Sequence, residues 1–196
     1  MKNKGHGKAE ILENIEYDKI YGSFNTQRHK LIWQLLRYTG ERIGAVLKLK
    51  VPDVYVDADS SVSHRYITFR ASTRKSSPSG ERNTRQVPIS KALKVELDKY
   101  CPPDFGWLFP SPKSGGDRPI SRQAYDKVFR LALIKAGLNR RGFSLHSPRR
   151  TLITRLSQQG YSLEIIRQIT GHKSIKTLQE YIEVSPEEVS KVLETL

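Results

Sequence analysis

The sequence predicts an α+β fold, a mainly helical domain with a small three-stranded antiparallel sheet. Apolar residues recur at helical spacing over the first 50 residues and again from residue 121 onward, whereas residues 53–88 alternate between apolar and polar types. The 196 residues, of which 37% are hydrophobic, suit one core. We therefore expect a single domain over 9–196, preceded by a flexible basic tail over 1–8.

The first helical part contains three predicted helices. Apolar residues over 11–15 predict one helix, and those over 31–36 predict a second, which ends at a Thr-Gly pair. A third helical stretch begins near Glu41 and closes before a proline. Arg42 is therefore expected at the start of a helix.

Three short strands are predicted next, at 54–56, 66–69 and 86–87. The connection over 76–82 is rich in serine, glycine and proline and is too long for a tight turn. We expect a mobile loop between the second and third strands, with Lys75 at its mouth.

The rest of the chain is predicted as successive helices. Ser90 can cap the first of them, and Gly137 and Gly160 suit left-handed C-terminal caps. Ser185 and Glu188 form a capping box, with proline at the first helical position, that opens a tail helix over 185–196. The helices between these signals are expected at 121–136, 148–159, 162–169 and 174–181.

The charge balance predicts a polyanionic partner. Lysine and arginine total 34 against 20 acidic residues, a net charge of +14. Residues 180–196 carry −4, so residues 1–179 carry +18. Nucleic acid is the leading candidate, and a basic surface without a specific partner is the alternative.

Several protein classes are not expected. Cys101 is the only cysteine, which excludes an internal disulfide and a cysteine-based metal site. No run approaches the roughly 18 apolar residues of a membrane span, and the N-terminal residues are polar. We expect a cytoplasmic protein that is neither secreted nor inserted in a membrane.

Three separate segments form a specific pattern. They are TGERIGAVLKL around Arg42, LHSPRRTLITRL around His146 and Arg149, and TGHKSIKTLQEYIEV around His172 and Tyr181. Each piece is common in unrelated chains, but together they present Thr-Gly-x-Arg, His-x-x-Arg, Gly-His and a tyrosine nine residues later. In this order and spacing the chain resembles the catalytic domain of the tyrosine recombinase (phage integrase) family, from about residue 9 onward.

These residue types suit attack of a phenolate on a DNA phosphodiester. The transition state is more anionic than the ground state, and the guanidiniums of Arg42 and Arg149 can fork onto phosphate oxygens. Tyrosine, with a pKa of about 10, must lose its proton, and a histidine with a pKa of about 6.5 can accept it. His146 is the candidate base, or else a phosphate ligand.

The resemblance implies the remaining roles. Tyr181 would be the nucleophile of a covalent 3′-phosphotyrosine intermediate, and His172 would hydrogen-bond the scissile phosphate. A lysine of the hairpin between strands two and three would protonate the departing 5′ oxygen, and we assign Lys75. A surface charge is the alternative for Lys75, because arginines crowd the same hairpin at positions 70, 74, 82 and 85.

The implied activity is site-specific recombination of duplex DNA by integration, excision or inversion, with no metal and no cofactor. The histidines lack a third ligand at metal spacing, and no phosphate-binding loop of the GxxxxGK type is present. A topoisomerase or resolvase that uses the same residues is an alternative, as is an inactive DNA-binding regulator.

The chain also departs from the family pattern, which puts rate and geometry in doubt. Ala45 stands where an acidic residue is common, Arg150 where histidine is common, and Thr170 where leucine is usual. Arg42 could instead pair with Glu41 or Asp53.

The expected partners are a duplex recombination site and possible accessory proteins. A monomer in solution and a homotetramer on DNA are expected. The apolar stripe of the tail helix would pack on its own core or on a neighbouring protomer. Because 41 residues precede Arg42, we expect no separate N-terminal DNA-clamping domain, so that the chain would be a compact recombinase, a fragment or a protein that needs a partner to grip DNA fully. The candidate DNA contacts are Arg74, Arg122, Lys127, Arg130, Arg150 and Lys173.

Overall fold

The computed structural model describes residues 9–59, 61–74, 83–172, 174–179, 181 and 193–194. Within these ranges, three helices, four short strands and five helices follow in order. The helices are α1 (Asn14–Ser23), α2 (Gln27–Thr39), α3 (Ile43–Val46), α4 (Lys91–Asp98), α5 (Arg122–Lys135), α6 (Ser147–Gln158), α7 (Leu163–Thr170) and α8 (Ile175–Gln179). The strands are β1 (Tyr55–Asp57), β2 (Val62–Ser63), β3 (Tyr66–Phe69) and β4 (Arg85–Pro88).

The α+β class with mainly helical content is confirmed, but the strands are arranged differently from the prediction. In the described residues, β1 pairs with β2 and β3 pairs with β4, so that two two-stranded antiparallel sheets replace one sheet of three strands. β2 was missed because it has only two residues and buries neither of them, so it shows no apolar alternation. Ser61, with a φ of 54°, turns the chain back into β2.

Two predicted helix boundaries also differ. α1 begins at Asn14 rather than near Ile11, and Leu12 instead donates its amide to the Thr151 hydroxyl of α6 at 2.9 Å. α3 is a single turn rather than a helix that reaches Pro52. The helix does not continue because the amide of Leu108 donates to the carbonyl of Leu49 at 2.9 Å, which pairs the residues around Leu49 with a segment that is distant in the sequence.

The helix starts follow the sequence signals. Thr26, Ser90, Ser121 and Ser162 each accept a hydrogen bond from the backbone amide three residues on, as N-cap residues do. α2 ends at Gly40 and α7 ends at Gly171, both in the left-handed conformation.

The main core surrounds α2. Trp33 is fully buried, and its ring lies 5.5 Å from both the Tyr17 ring of α1 and the Phe129 ring of α5. A smaller cluster, called the distal cluster here, consists of Ile153, Ile166 and Leu178 from α6, α7 and α8. It joins the last described helices to the body of the domain.

Among the described residues, no helix is long and apolar enough to cross a membrane. The predicted basic tail over 1–8 lies outside the described residues. So does the predicted tail helix over 185–196, apart from Leu193 and Glu194.

Candidate active site

Arg42 and His146 lie on one cleft of about 480 Å³. Arg42 immediately precedes α3 and His146 immediately precedes α6, so each is positioned at a helix start. The lining of the cleft includes the cations Lys48, Arg74 and Arg122. These positive charges make the cleft suited to an anionic group such as phosphate.

Arg149 lies deeper and connects two helix ends. Its side chain is buried, with the residue 3% exposed, and Nη1 donates to the Gly40 carbonyl at 2.5 Å and to the Thr170 carbonyl at 3.0 Å. Burial, helped by the nearby Arg42 guanidinium, lowers the pKa of Arg149 to about 10. Arg149 therefore stays cationic at neutral pH while it links the ends of α2 and α7.

His172 contacts Arg149 directly. Its Nε2 lies 2.9 Å from the Arg149 Nη2 atom. Burial, followed by the charges of Arg149, Arg42 and Arg85, lowers the pKa of His172 to about 3. The imidazole is therefore neutral at neutral pH, and one of its nitrogens must act as an acceptor.

The Thr170 hydroxyl indicates which nitrogen of His172 carries the proton. The Thr170 hydroxyl donates to the Ile166 carbonyl at 2.6 Å, so toward His172 Nδ1, 2.7 Å away, it can only accept. Arg149 Nη2 also lies 3.2 Å from Nδ1, but its contact with Nε2 is shorter. Both this shorter contact and the Thr170 acceptor favour a proton on Nδ1, with Nε2 as the acceptor from Arg149. Thr170 stands where the resembled family usually has leucine, which could not provide this hydroxyl.

Tyr181 lies beside this pair. Its ring centroid is 5.6 Å from that of His172, and the phenol is near enough to Arg149 to interact with it electrostatically. The half-buried Tyr181 ring packs against the distal cluster, and its carbonyl accepts from the Thr154 hydroxyl at 3.3 Å. α8 ends at Gln179, so Tyr181 follows the helix instead of lying within it as predicted.

His146 keeps an exposed face at the cleft. Partial desolvation lowers the pKa of His146, and the positive charges of Arg122, Arg149 and Arg42 act in the same direction. A neutral imidazole at neutral pH can accept a proton. Arg122, predicted only as a DNA contact, therefore also affects the protonation of a site residue.

Glu41 belongs to the site, and sequence reasoning did not select it for a role. The residue is 2% exposed, and its carboxylate accepts from the Arg42 amide at 2.9 Å and pairs with Arg85 at 2.8 Å and Arg74 at 3.4 Å. Burial alone would raise the pKa of Glu41, but Arg85, the Arg42 amide and Arg74 outweigh it and lower the pKa.

Glu41 and Asp53, the two acidic residues with which Arg42 could have paired, form ion pairs with other arginines. Glu41 pairs with arginines of the β3–β4 hairpin, and Asp53 pairs with Arg70 of the same hairpin at 2.5 Å. The position of Glu41 beside the Thr-Gly helix end can be read from the sequence, but its pairing with Arg74 and Arg85 cannot.

The predicted DNA contacts have different surroundings. Lys127 is exposed, and Arg130 is exposed but pairs with Asp126 at 3.5 Å. Arg150 is only 8% exposed and donates to the Ala9 carbonyl at 2.7 Å, which fastens the N-terminal segment to α6. The two lysines Lys75 and Lys173 lie outside the described residues.

Comparison with known proteins finds relatives that match most of the chain. A family model described as the phage integrase family matches residues 9–188. The tyrosine recombinase XerD of Brucella suis is 27% identical over 173 residues, which cover 84% of this chain and 50% of XerD. The chain thus spans about half the length of this curated relative.

Solved structures share the fold. The crystal structure of XerA recombinase aligns with a TM-score of 0.70 and 24% identity, over 95% of this chain and 64% of XerA. The Tn1549 transposon integrase, solved in complex with transposon right end DNA, aligns with a TM-score of 0.71 and 15% identity, over 98% of this chain and 67% of the integrase.

Proposed function

Because this chain belongs to the phage integrase family, we propose that it cleaves and rejoins duplex DNA at a specific site through a covalent bond to Tyr181. The relatives named above are a recombinase of Brucella suis and a transposon integrase bound to DNA. The outcome on DNA would be integration, excision or inversion.

The observation that carries the proposal is the contact network of Arg149. This buried guanidinium joins the carbonyls of Gly40 and Thr170 and the ring of His172, and the Tyr181 ring lies beside that of His172, close enough to Arg149 to interact with its charge. Residues far apart in the sequence thus meet at one cation. Electrostatic stabilisation of a phosphoryl transition state requires such a preorganised charge.

In the proposed reaction, the Tyr181 oxygen forms a bond to phosphorus while the bond between phosphorus and the 5′ oxygen breaks. Arg42 at the cleft and Arg149 beside the tyrosine would stabilise the negative charge that accumulates on the phosphate oxygens. Rejoining reverses these steps and conserves the energy of the phosphodiester, so no metal or cofactor is required.

Two proton transfers accompany the bond changes. The phenol proton passes to His146, which its lowered pKa keeps neutral and available. The departing 5′ oxygen takes a proton from a cation, for which Lys75 remains our assignment. His172 would orient Arg149 through Nε2, and when DNA is bound its Nδ1 proton would be donated to the scissile phosphate in place of the Thr170 hydroxyl.

We further propose that the basic surface holds the duplex and that four copies assemble on DNA. We assign this contact to Arg122, at the cleft, and to Lys127, because both are described and exposed. The tail helix would then dock on a neighbouring protomer and couple assembly to the reactivity of Tyr181.

The test of the proposal is covalent capture. Duplexes with a 5′-bridging phosphorothiolate at one position and randomised flanks are incubated with the protein, and adducts that survive denaturation are recovered and sequenced. We expect an adduct with a defined subset of duplexes, and none with Tyr181→Phe. Tyr161→Phe is the matched control, since Tyr161 is a 48% exposed tyrosine outside the cleft, and it should react normally.

An adduct that persists in Tyr181→Phe would contradict the nucleophile. Binding without any adduct would favour a DNA-binding regulator. Adducts without sequence preference, together with relaxation of supercoiled plasmid, would favour a topoisomerase.

A further inference from the structure

We propose that Glu41 is a positioning residue, one buried carboxylate that holds together the three segments carrying Arg42, Arg74 and His172. The inference rests on the proposed function, because it concerns the alignment of that same site. Glu41 would not contact the substrate; it would act through the groups it binds.

The first contact is with the segment of Arg42. Glu41 Oε1 accepts the Arg42 backbone amide at 2.9 Å, and the amide of Glu41 itself donates to the Thr39 hydroxyl at 3.1 Å. The turn between α2 and α3 is therefore closed by side-chain contacts on both sides of Glu41. This geometry determines where the Arg42 side chain leaves the backbone at the cleft.

The second contact is with Arg85 of β4. Arg85 Nη1 lies 2.8 Å from Glu41 Oε2, and Nη2 of Arg85 donates to the carbonyls of Thr39 and Ile169. Through one guanidinium, Glu41 therefore fixes β4 to the end of α2 and to the last turn of α7. That turn leads directly into Gly171 and His172.

The third contact is with Arg74, the residue immediately before Lys75. Arg74 Nε lies 3.4 Å from Glu41 Oε2, and its other nitrogens donate to the Asn83 carbonyl at 2.8 Å and to the Gly171 carbonyl at 3.4 Å. Arg74 and Asn83 flank the segment 75–82. Glu41 is thus connected directly to Arg74, on one side of this segment, and through Arg74 to Asn83 on the other side.

Charge explains why a carboxylate is needed at this position. The side chains of Arg85 and Arg74 are only 9% and 12% exposed, and Arg149 is also close enough to Glu41 to interact with its charge. Without Glu41, these guanidiniums would repel one another in a poorly solvated region. Removing one partner of a buried ion pair leaves an uncompensated charge, which strongly favours rearrangement.

The test compares Glu41→Gln with Asp53→Asn on duplexes recovered by covalent capture. Both changes remove a buried carboxylate that pairs with an arginine of the β3–β4 hairpin. Asp53, however, is bonded to Arg70 and the Lys50 amide, and none of these three residues lines the cleft, whereas Glu41 does. Single-turnover cleavage and DNA affinity are measured at a temperature where circular dichroism shows every variant folded. We expect Glu41→Gln to cleave about 10 to 100 times more slowly, as for other groups that orient reacting residues, with affinity within about threefold of the unsubstituted protein.

Asp53→Asn should lower the melting temperature but cleave at the normal rate. An unchanged rate in Glu41→Gln, or an equal loss in Asp53→Asn, would overturn the inference while leaving the proposed function intact. An unsubstituted protein that forms no adduct would instead overturn the proposed function, and the inference with it.

A double-mutant cycle with Arg85→Gln tests the route through the ion pair. If Glu41 acts through Arg85, the double variant should cleave no more slowly than the slower single variant. Independent, multiplicative losses would contradict that route. The double variant removes both buried charges together, so it also serves if Glu41→Gln alone does not fold: it should still bind DNA and cleave at least about tenfold more slowly.

Discussion

Single residues at this site are oriented by hydrogen bonds within the protein itself. Arg149 donates to two backbone carbonyls and to His172, and His172 is held on its other nitrogen by Thr170. Groups that are already oriented need little reorganisation as negative charge develops on a phosphate. The same burial that orients His172 also makes it neutral, which has a measurable effect on stability.

We predict that His172 makes the protein less stable in mild acid. Its pKa of about 3 in the folded state lies below the ordinary value of 6.5, so the unfolded state binds the proton first as the pH falls. The contribution is complete above pH 6.5 and is lost toward pH 3, by at most about 1.4 kcal/mol per pH unit. The measurement is urea denaturation at several pH values between 6.5 and 5.

Between pH 6.5 and 5, the free energy of unfolding should fall by about 1 to 2 kcal/mol more in the unsubstituted protein than in His172→Gln. His64→Gln, which changes an exposed histidine, should keep the original pH dependence. Equal slopes in all three proteins would show that His172 is not held neutral by the fold.

At the scale of elements, helix ends rather than helix faces bring the site together. The Gly40 carbonyl at the end of α2 and the Thr170 carbonyl at the end of α7 both accept from Arg149 of α6. α7 then stops at Gly171, with a φ of 66°, which allows the chain to turn and bring His172 back toward Arg149.

We predict that Gly171→Ala will disturb the site more than an ordinary cap substitution. A Cβ at this position would lie 2.7 Å from Arg74 Nη2 and 2.8 Å from Arg85 Cδ, and both side chains are tied to Glu41. Gly160→Ala is the control, because Gly160 also has a positive φ but no atom within 4 Å of a Cβ.

Gly160→Ala should lose about 1 to 2 kcal/mol of unfolding free energy from backbone strain alone. Gly171→Ala should lose at least about 1 kcal/mol more in the same denaturation experiment, because an overpacked site must also shift its neighbours. Its cleavage rate should fall as well, whereas that of Gly160→Ala should not. Equal losses of unfolding free energy in the two variants would indicate that the Arg74 and Arg85 side chains move aside without cost.

At the scale of the whole molecule, the dominant feature is the charge of +14 on 196 residues. This charge would attract a polyanion over a long range, and the cleft lined by Arg42 and Arg122 concentrates positive charge at one place. Binding to DNA by such a surface releases counterions from the phosphates, so affinity should depend steeply on salt.

We predict that the logarithm of the DNA association constant falls linearly with the logarithm of salt concentration, with a slope that drops by about one unit in Arg122→Gln. Lys135→Gln is the control on the same helix, since Lys135 bonds to Asn25 at the far end of α5. Fluorescence anisotropy measures both slopes. The salt concentration is varied from about 50 to 200 mM, a range over which the affinity due to phosphate contacts falls steeply. A slope that Lys135→Gln changes as much as Arg122→Gln would place the DNA contact elsewhere.

The sequence by itself determined the α+β class, most helix starts and the family, because caps and apolar periodicity are short-range signals and the spacing from His172 to Tyr181 is specific. It did not determine the two separate sheets, since β2 is too short and exposed to show a pattern. Only the tertiary structure decided that Glu41 pairs with Arg85, that Thr170 sets the tautomer of His172 and that Arg150 is buried. Burial and ion pairing depend on residues that are far apart in the chain, and no local pattern specifies which of them will meet.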